Sequence, residues 1–163
     1  MTTPEQATDF VHAAVPAIGR FGLQVTAIEP GRVALSMPFE GNGNHMGTMY
    51  AGALFAIAEL PGGLLPLSVL EGQVVPILKQ LTIRFARPAR GTVTLEAAID
   101  PGRLRELAAQ ALADGRAEFD LELQVTDAEG EVVAISHGTY QLRPAAGVSS
   151  GAARATIATS ESP

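Results

Sequence analysis

From Met49 to Leu70 the chain carries one formally charged residue, Glu59, in a run of otherwise small or apolar side chains. Between Met49 and Leu60 these occupy every side of a helical wheel, the pattern of a helix surrounded by protein rather than one lying on a surface. Whatever this chain folds into must wrap a layer around that segment and account for the carboxylate inside it. An ionised carboxylate in an apolar interior costs several kcal/mol unless it is paired or hydrogen-bonded. Glu59 is therefore either tied into a polar network or placed for chemistry.

Two other readings fail on detail. The run is long enough to cross a bilayer, for which roughly 20 apolar residues suffice. Glu59 near its centre and Pro61, Gly62, Gly63 and Pro66 beyond it argue against that. The preceding Gly41-Asn42-Gly43-Asn44-His45-Met46-Gly47 imitates a dinucleotide fingerprint, but Met46 stands where the third glycine of that motif belongs, and the flanking strands lack the βαβ pattern it requires.

With 163 residues the chain is expected to form a single domain over 1–143, large enough to bury a core without staples. The absence of cysteine removes thiol catalysis, disulfides and thiolate metal sites. A net charge of -6 disfavours a nucleic-acid partner, and there is no basic run for an acidic membrane. Residues 1–9 carry no positive side chain, so they do not open a secretory signal, and the expected location is cytoplasmic. His12, His45 and His137 are scattered without ligand spacing, so no metal is expected, and no serine sits in a G-x-S-x-G elbow.

Pro4 and Glu5 after Thr3 predict a helix over 4–18, with Pro16 and Gly19 limiting its length. Residues 22–28 and 32–39 read as a hairpin around Glu29-Pro30-Gly31. The central helix is expected over about 48–68, capped by Thr48. Further strands are expected over 74–86, 92–99, 119–126 and 131–142, with a surface helix over 101–113. In the strand of 119–126, Phe119, Leu121, Leu123 and Val125 alternate with polar residues, so one face is covered and the other wet. From 144 to 163 the Ala, Ser, Thr and Gly content has no period and predicts a disordered tail. Short connections between about six strands give an antiparallel sheet wrapped around a helix, an α+β fold.

A helix beginning at Thr48 presents unpaired amides near Tyr50, Ala51 and Gly52, and the small residues allow a ligand to approach them. A thioester or amide carbonyl can be polarised there as in an oxyanion hole, with the Asn44 side chain as a further donor. Glu59 can orient or deprotonate a water. The rise along the helix, about 15 Å from Met49 to Glu59, prevents both ends of one helix from serving one carbonyl. The site then needs the Glu59 of a second subunit, with two helices antiparallel across a two-fold axis. The bland alternative is a carboxylate hydrogen-bonded within the core.

The stretch Asn44-His45-Met46-Gly47-Thr48-Met49-Tyr50-Ala51-Gly52, followed by Ala58-Glu59, resembles the N-x-x-G-T-x-H-G-G-x-x-x-x-x-x-D pattern of hotdog-fold acyl-CoA thioesterases of the PaaI-like type. Leu81-Thr82-Ile83-Arg84-Phe85-Ala86-Arg87-Pro88-Ala89 is similar to that family's strand after the central helix. The family's His-Gly-Gly is Tyr50-Ala51-Gly52 here, and its Asp is Glu59. The resemblance implies a hotdog fold and a homodimer or dimer of dimers that hydrolyses acyl-CoA without a metal or added cofactor. Asn44 and the Ala51 amide would polarise the carbonyl, and the partner's Glu59 would act on water. Around them, His45, Gly47, Tyr50, Gly52, Phe55 and Thr82 would contact substrate, and Arg84 and Arg87 would meet the phosphates of coenzyme A. Two alternatives stay open: a non-catalytic acyl-binding or CoA-binding module, and a hydroxyacyl dehydratase or hydratase using His45 and Glu59, whose spacing is similar to that of the His and acid pair of hotdog dehydratases.

Overall fold

The computed structural model describes residues 2–70 and 72–145. In chain order these form α1 (Pro4–Ala14), α2 (Pro16–Phe21), β1 (Gln24–Glu29), β2 (Arg32–Met37), α3 (Ala51–Glu59), α4 (Pro61–Leu70), β3 (Val74–Phe85), β4 (Val93–Ala98), α5 (Pro101–Asp114), β5 (Ala117–Thr126) and β6 (Val132–Pro144). The strands make one antiparallel sheet in the order β1-β2-β4-β5-β6-β3. The sheet wraps around α3 and α4, the hotdog arrangement. The strict alternation of β5 sets which face it turns inward: Phe119, Leu121, Leu123 and Val125 are buried while Glu118, Asp120, Glu122 and Gln124 face outward.

Two expected helices are divided. Pro16 disfavours a helical conformation at Val15, which sits at φ -131, so the helix expected over 4–18 is α1 followed by α2. Pro61 divides the central helix differently: Leu60 keeps helical dihedrals at φ -63 and ψ -33, but Pro61 has no amide to continue the ladder, and the second part runs to Leu70 rather than 68. Its start also moves. The helix begins at Ala51 behind Tyr50, not behind Thr48, because the loop before it closes on itself. Asn44 Nδ2 donates to Thr48 Oγ1 at 2.9 Å, and Asn44 Oδ1 accepts from the Thr48 amide at 3.2 Å. Thr48 is thereby unavailable as a cap. The next two amides are pulled into extended pairing, Met49 to the Ala89 carbonyl at 2.8 Å and Tyr50 to the Asn42 carbonyl at 2.7 Å. The expected tail lies outside the described residues beyond Ala145, and Pro144 itself belongs to β6.

The run Ala51–Leu70 is long and apolar enough to cross a membrane, but about two thirds of it is buried inside this fold. Small polar contacts fix α1 and α4 to the hairpin: Thr8 Oγ1 accepts from the Val25 amide at 3.0 Å, and Ser68 Oγ accepts from the Gly31 amide at 3.0 Å. Ser136 on β6 is different. It is buried, and its hydroxyl has no hydrogen-bond partner among the described residues. An unpaired buried polar atom costs about 1–3 kcal/mol. Ser136→Ala is therefore expected to raise the urea midpoint by the equivalent of about 1 kcal/mol at unchanged m. A lowered midpoint would reveal a partner such as a trapped water.

Candidate active site

The start of α3 leaves two donors open. Tyr50 offers no side-chain cap, and the Ala53 and Leu54 amides return to the Tyr50 carbonyl at 3.0 and 3.2 Å. The amides of Ala51 and Gly52 have no acceptor among the described residues, and both residues are at least partly accessible. Two adjacent free amides at a helix start favour an anion or a developing oxyanion. Tyr50 is 53% exposed, and its ring lies where a Cβ on Gly52 would stand, so glycine at 52 lets the ring fold across the helix start.

Eight residues further on, at the other end of α3, stands Glu59. Its side chain is partly buried and makes no hydrogen bond or ion pair among the described residues. Burial alone pushes its carboxyl above the usual carboxylate range. From Ala51 to Glu59 the helix rises about 12 Å, so the two ends of α3 cannot meet on one carbonyl within this chain. Sequence reasoning placed the helix start too early, yet the separation it inferred persists.

The remaining residues fall into three groups. Asn44 joins the helix start through its loop: besides its bond to Thr48, Nδ2 makes only a 3.5 Å contact with the Met49 carbonyl. Gly47 supports that loop at φ 69, with its amide bonded to the Asn44 carbonyl at 3.0 Å. His45 stands exposed in the loop, where its ring bonds no backbone group among the described residues, and it precedes the start of α3, whose other end carries Glu59. Phe55 is 38% exposed although it sits mid-helix among buried neighbours. Thr82 and Arg84 point away from the helix. Leu81 meets the face of Gly138 that Tyr140 also covers, so alternation along β3 turns Thr82 and Arg84 to the outer face. Thr82 therefore does not reach the Glu59 of its own chain. Arg84 is exposed without an ion pair among the described residues, whereas Arg87 is engaged by Glu131.

Two polar residues escaped the sequence reading. Asn42 is buried and donates to the Phe21 carbonyl at 2.7 Å and the Pro38 carbonyl at 2.8 Å, while its own carbonyl holds the Tyr50 amide. It fixes the entry to α3, and in Gly41-Asn42-Gly43-Asn44 nothing distinguishes this asparagine from its neighbour. The second is Tyr140, whose hydroxyl donates to the Glu59 carbonyl at 2.8 Å across 81 positions of sequence. No group of three or more potential metal ligands occurs among the described residues.

A family model described as a domain of unknown function, DUF4442, matches residues 4–142. A crystal structure from Pseudomonas aeruginosa, described as a protein of unknown function and probable thioesterase, is 48% identical with a TM-score of 0.81, the match covering 88% of this chain and 98% of that one. A thioesterase from Haemophilus influenzae matches at 19% identity and TM-score 0.69, covering 89% of this chain and 93% of its own. A thioesterase variant from Staphylococcus aureus matches at 18% identity and TM-score 0.63, covering 80% and 100%. The last two likenesses concern the fold alone. No curated protein matches the sequence.

Proposed function

The chain belongs to the DUF4442 family, and from that membership and the geometry of α3 we propose that it is a hotdog thioesterase hydrolysing acyl-CoA thioesters by direct attack of water, without a metal. The observation that carries the reading is the pairing, on one helix, of two amides and a desolvated carboxylate that all lack partners among the described residues. Each end lacks what the other supplies. The 48% identical relative, described as a probable thioesterase, supports the same class of reaction.

In the proposed site the thioester carbonyl oxygen lies on the Ala51 and Gly52 amides, with the second hydrogen of Asn44 Nδ2 as a further donor. Glu59 of a second subunit takes a proton from water as its oxygen attacks the carbonyl carbon. The tetrahedral oxyanion collapses, the C–S bond breaks, and the thiolate recovers the proton from the Glu59 carboxyl, leaving a free thiol and a carboxylic acid that loses its remaining proton to solvent. Two copies of α3 antiparallel across a two-fold axis would create two such sites. The exposed Phe55, Ile77 and Phe85 support self-association as a homodimer or a dimer of dimers. Phe55 would line the acyl chain, with Tyr50, Gly52, His45 and Gly47 at the mouth. Unpaired Arg84 is the better candidate for the coenzyme A phosphates, since Arg87 is already neutralised. Coenzyme A enters as substrate, not as cofactor. The reading places the protein in the cytoplasm, with neither nucleic acid nor membrane as partner.

A non-catalytic acyl-binding module is the second reading, favoured by the engagement of Asn44 within its own loop and by the Tyr50 ring over Gly52. Steady-state hydrolysis of short, long and aryl acyl-CoA esters separates the two. We expect turnover by the parent and almost none by Asn44→Ala or Glu59→Ala alone. When the two variants are refolded together, about a quarter of parental activity should return, because half the dimers then hold one intact site of two. Binding without turnover, unaffected by Glu59→Ala, would establish the module instead.

A further inference from the structure

The break in the central helix lies immediately after Glu59, and its hydrogen bonds are specific. Pro61 has no amide to offer the Ile57 carbonyl. The Gly63 amide, which a continuous helix would direct to Glu59, bonds the Leu60 carbonyl at 3.0 Å instead. The Glu59 carbonyl is left free of the helix and accepts from the Tyr140 hydroxyl at 2.8 Å. A buried carbonyl at this point needs a donor. A side chain from the far strand supplies it.

The surroundings of Tyr140 hold that donor in one place. Its ring is 1% exposed and stacks on Phe119 with centroids 5.4 Å apart and planes at 20°. Gly62 leaves the space the ring occupies, and a Cβ on Gly138 would come within 2.8 Å of it. Neither glycine has a positive φ, so closeness to the ring, not backbone conformation, accounts for both. The helix packs against β2, β3, β5, β6 and α4. The residues these elements turn inward include Val33, Leu35, Leu121 and Leu123, and α4 has no ionisable residue at all. Among the described residues of these elements, Tyr140 is the ionisable group whose electrostatics respond to Glu59. Its phenol stays protonated, since burial first and the Glu59 charge second hold it well above its ordinary range.

We infer that Tyr140 is a positioning residue for the reaction: by donating to the Glu59 carbonyl in the helix break, its hydroxyl fixes the backbone from which the acid projects. The inference rests on the thioesterase reading for its kinetic part only. Tyr140→Phe keeps the ring and its stack on Phe119 and removes one oxygen. We expect kcat to fall about tenfold with KM within twofold, and the acid limb of the kcat/KM profile to move up by about half a pH unit as the buried carboxylate loses the polar hydroxyl near it. The Glu59 carboxyl, followed by carbon NMR without substrate, should titrate higher in the variant by a similar amount. Should Tyr140→Phe not fold, 3,5-difluorotyrosine at 140, a stronger donor of nearly the same shape, is expected to move the titration downward. An unmoved Glu59 titration with unchanged kcat, whatever the loss of melting temperature, would reduce Tyr140 to a packing residue and overturn the inference. Absence of turnover by the parent would instead sink the thioesterase reading, leaving the NMR comparison to decide the contact.

Discussion

Glu59→Gln is expected to abolish turnover while raising the melting temperature of the protein. Loss of a general base removes about 10²–10⁴ of the rate, so kcat should fall about a thousandfold with little change in KM. The stability change follows from the carboxyl's raised pKa. Below the ordinary glutamate range the acid is protonated in both folded and unfolded chains and contributes nothing. As pH rises through that range, the unfolded chain releases its proton first, so the folded state loses stability until the folded carboxyl also ionises. Where the buried carboxyl is ionised its charge is a cost, which glutamine removes. A gain of about 1 kcal/mol, or roughly 2–4 °C for a domain of this size, is expected at pH 7 and should vanish by about pH 4. The same pKa direction places the acid limb of activity above the usual carboxylate value, with the rate rising as pH rises through it. If Glu59→Gln lowers stability at pH 7, the carboxylate is a bonded structural group and the bland reading of the sequence is correct.

Adjacent glycines of α4 should respond with opposite signs. Gly62→Ala drives a methyl into the Tyr140 ring, which cannot swing aside because Phe119 holds one face and Gly138 lies against its edge. Overpacking of this kind costs about 3 kcal/mol or more where the neighbour is fixed, and it also displaces the hydroxyl from Glu59. Gly63→Ala meets nothing within 4 Å and should stabilise the helix by about 0.5–1 kcal/mol through reduced freedom of the unfolded chain. Chemical denaturation of the two variants beside the parent checks both. Equal effects at the two positions would mean that Tyr140 is free to relocate and has no fixed aim.

The strands were legible where their alternation is strong: Phe119 to Val125 reveals an inner and an outer face without reference to the rest of the chain. Capping at α3 was not. Thr48 has the chemistry of an N-cap, and only its competing bonds to Asn44 show that the helix waits until Ala51. Pro16 and Pro61 announced interruptions, but propensity does not tell a kink from two separate helices. At the site, Glu59 stood out as the lone charge in an apolar run, and the small residues after Tyr50 marked the open amides. Tyr140 gave no such signal. One tyrosine in an apolar-rich strand reads as core, and its contact with Glu59 exists only once the sheet has closed over the helix.

That closure imposes an order on synthesis. Of the strands packed on α3, only β2 precedes it; β3, β5 and β6 are all translated later. The most apolar segment of the chain therefore leaves the ribosome before most of its cover exists, with its hairpin and two short N-terminal helices as company. Its burial depends on distant strand pairing, the slow kind of contact, so the nascent chain passes through an interval of exposed apolar surface in which chaperones and aggregation compete for the same helix. Glu59, the one charge in that segment, then keeps the unfinished helix more soluble, although in the finished fold the same charge is a cost.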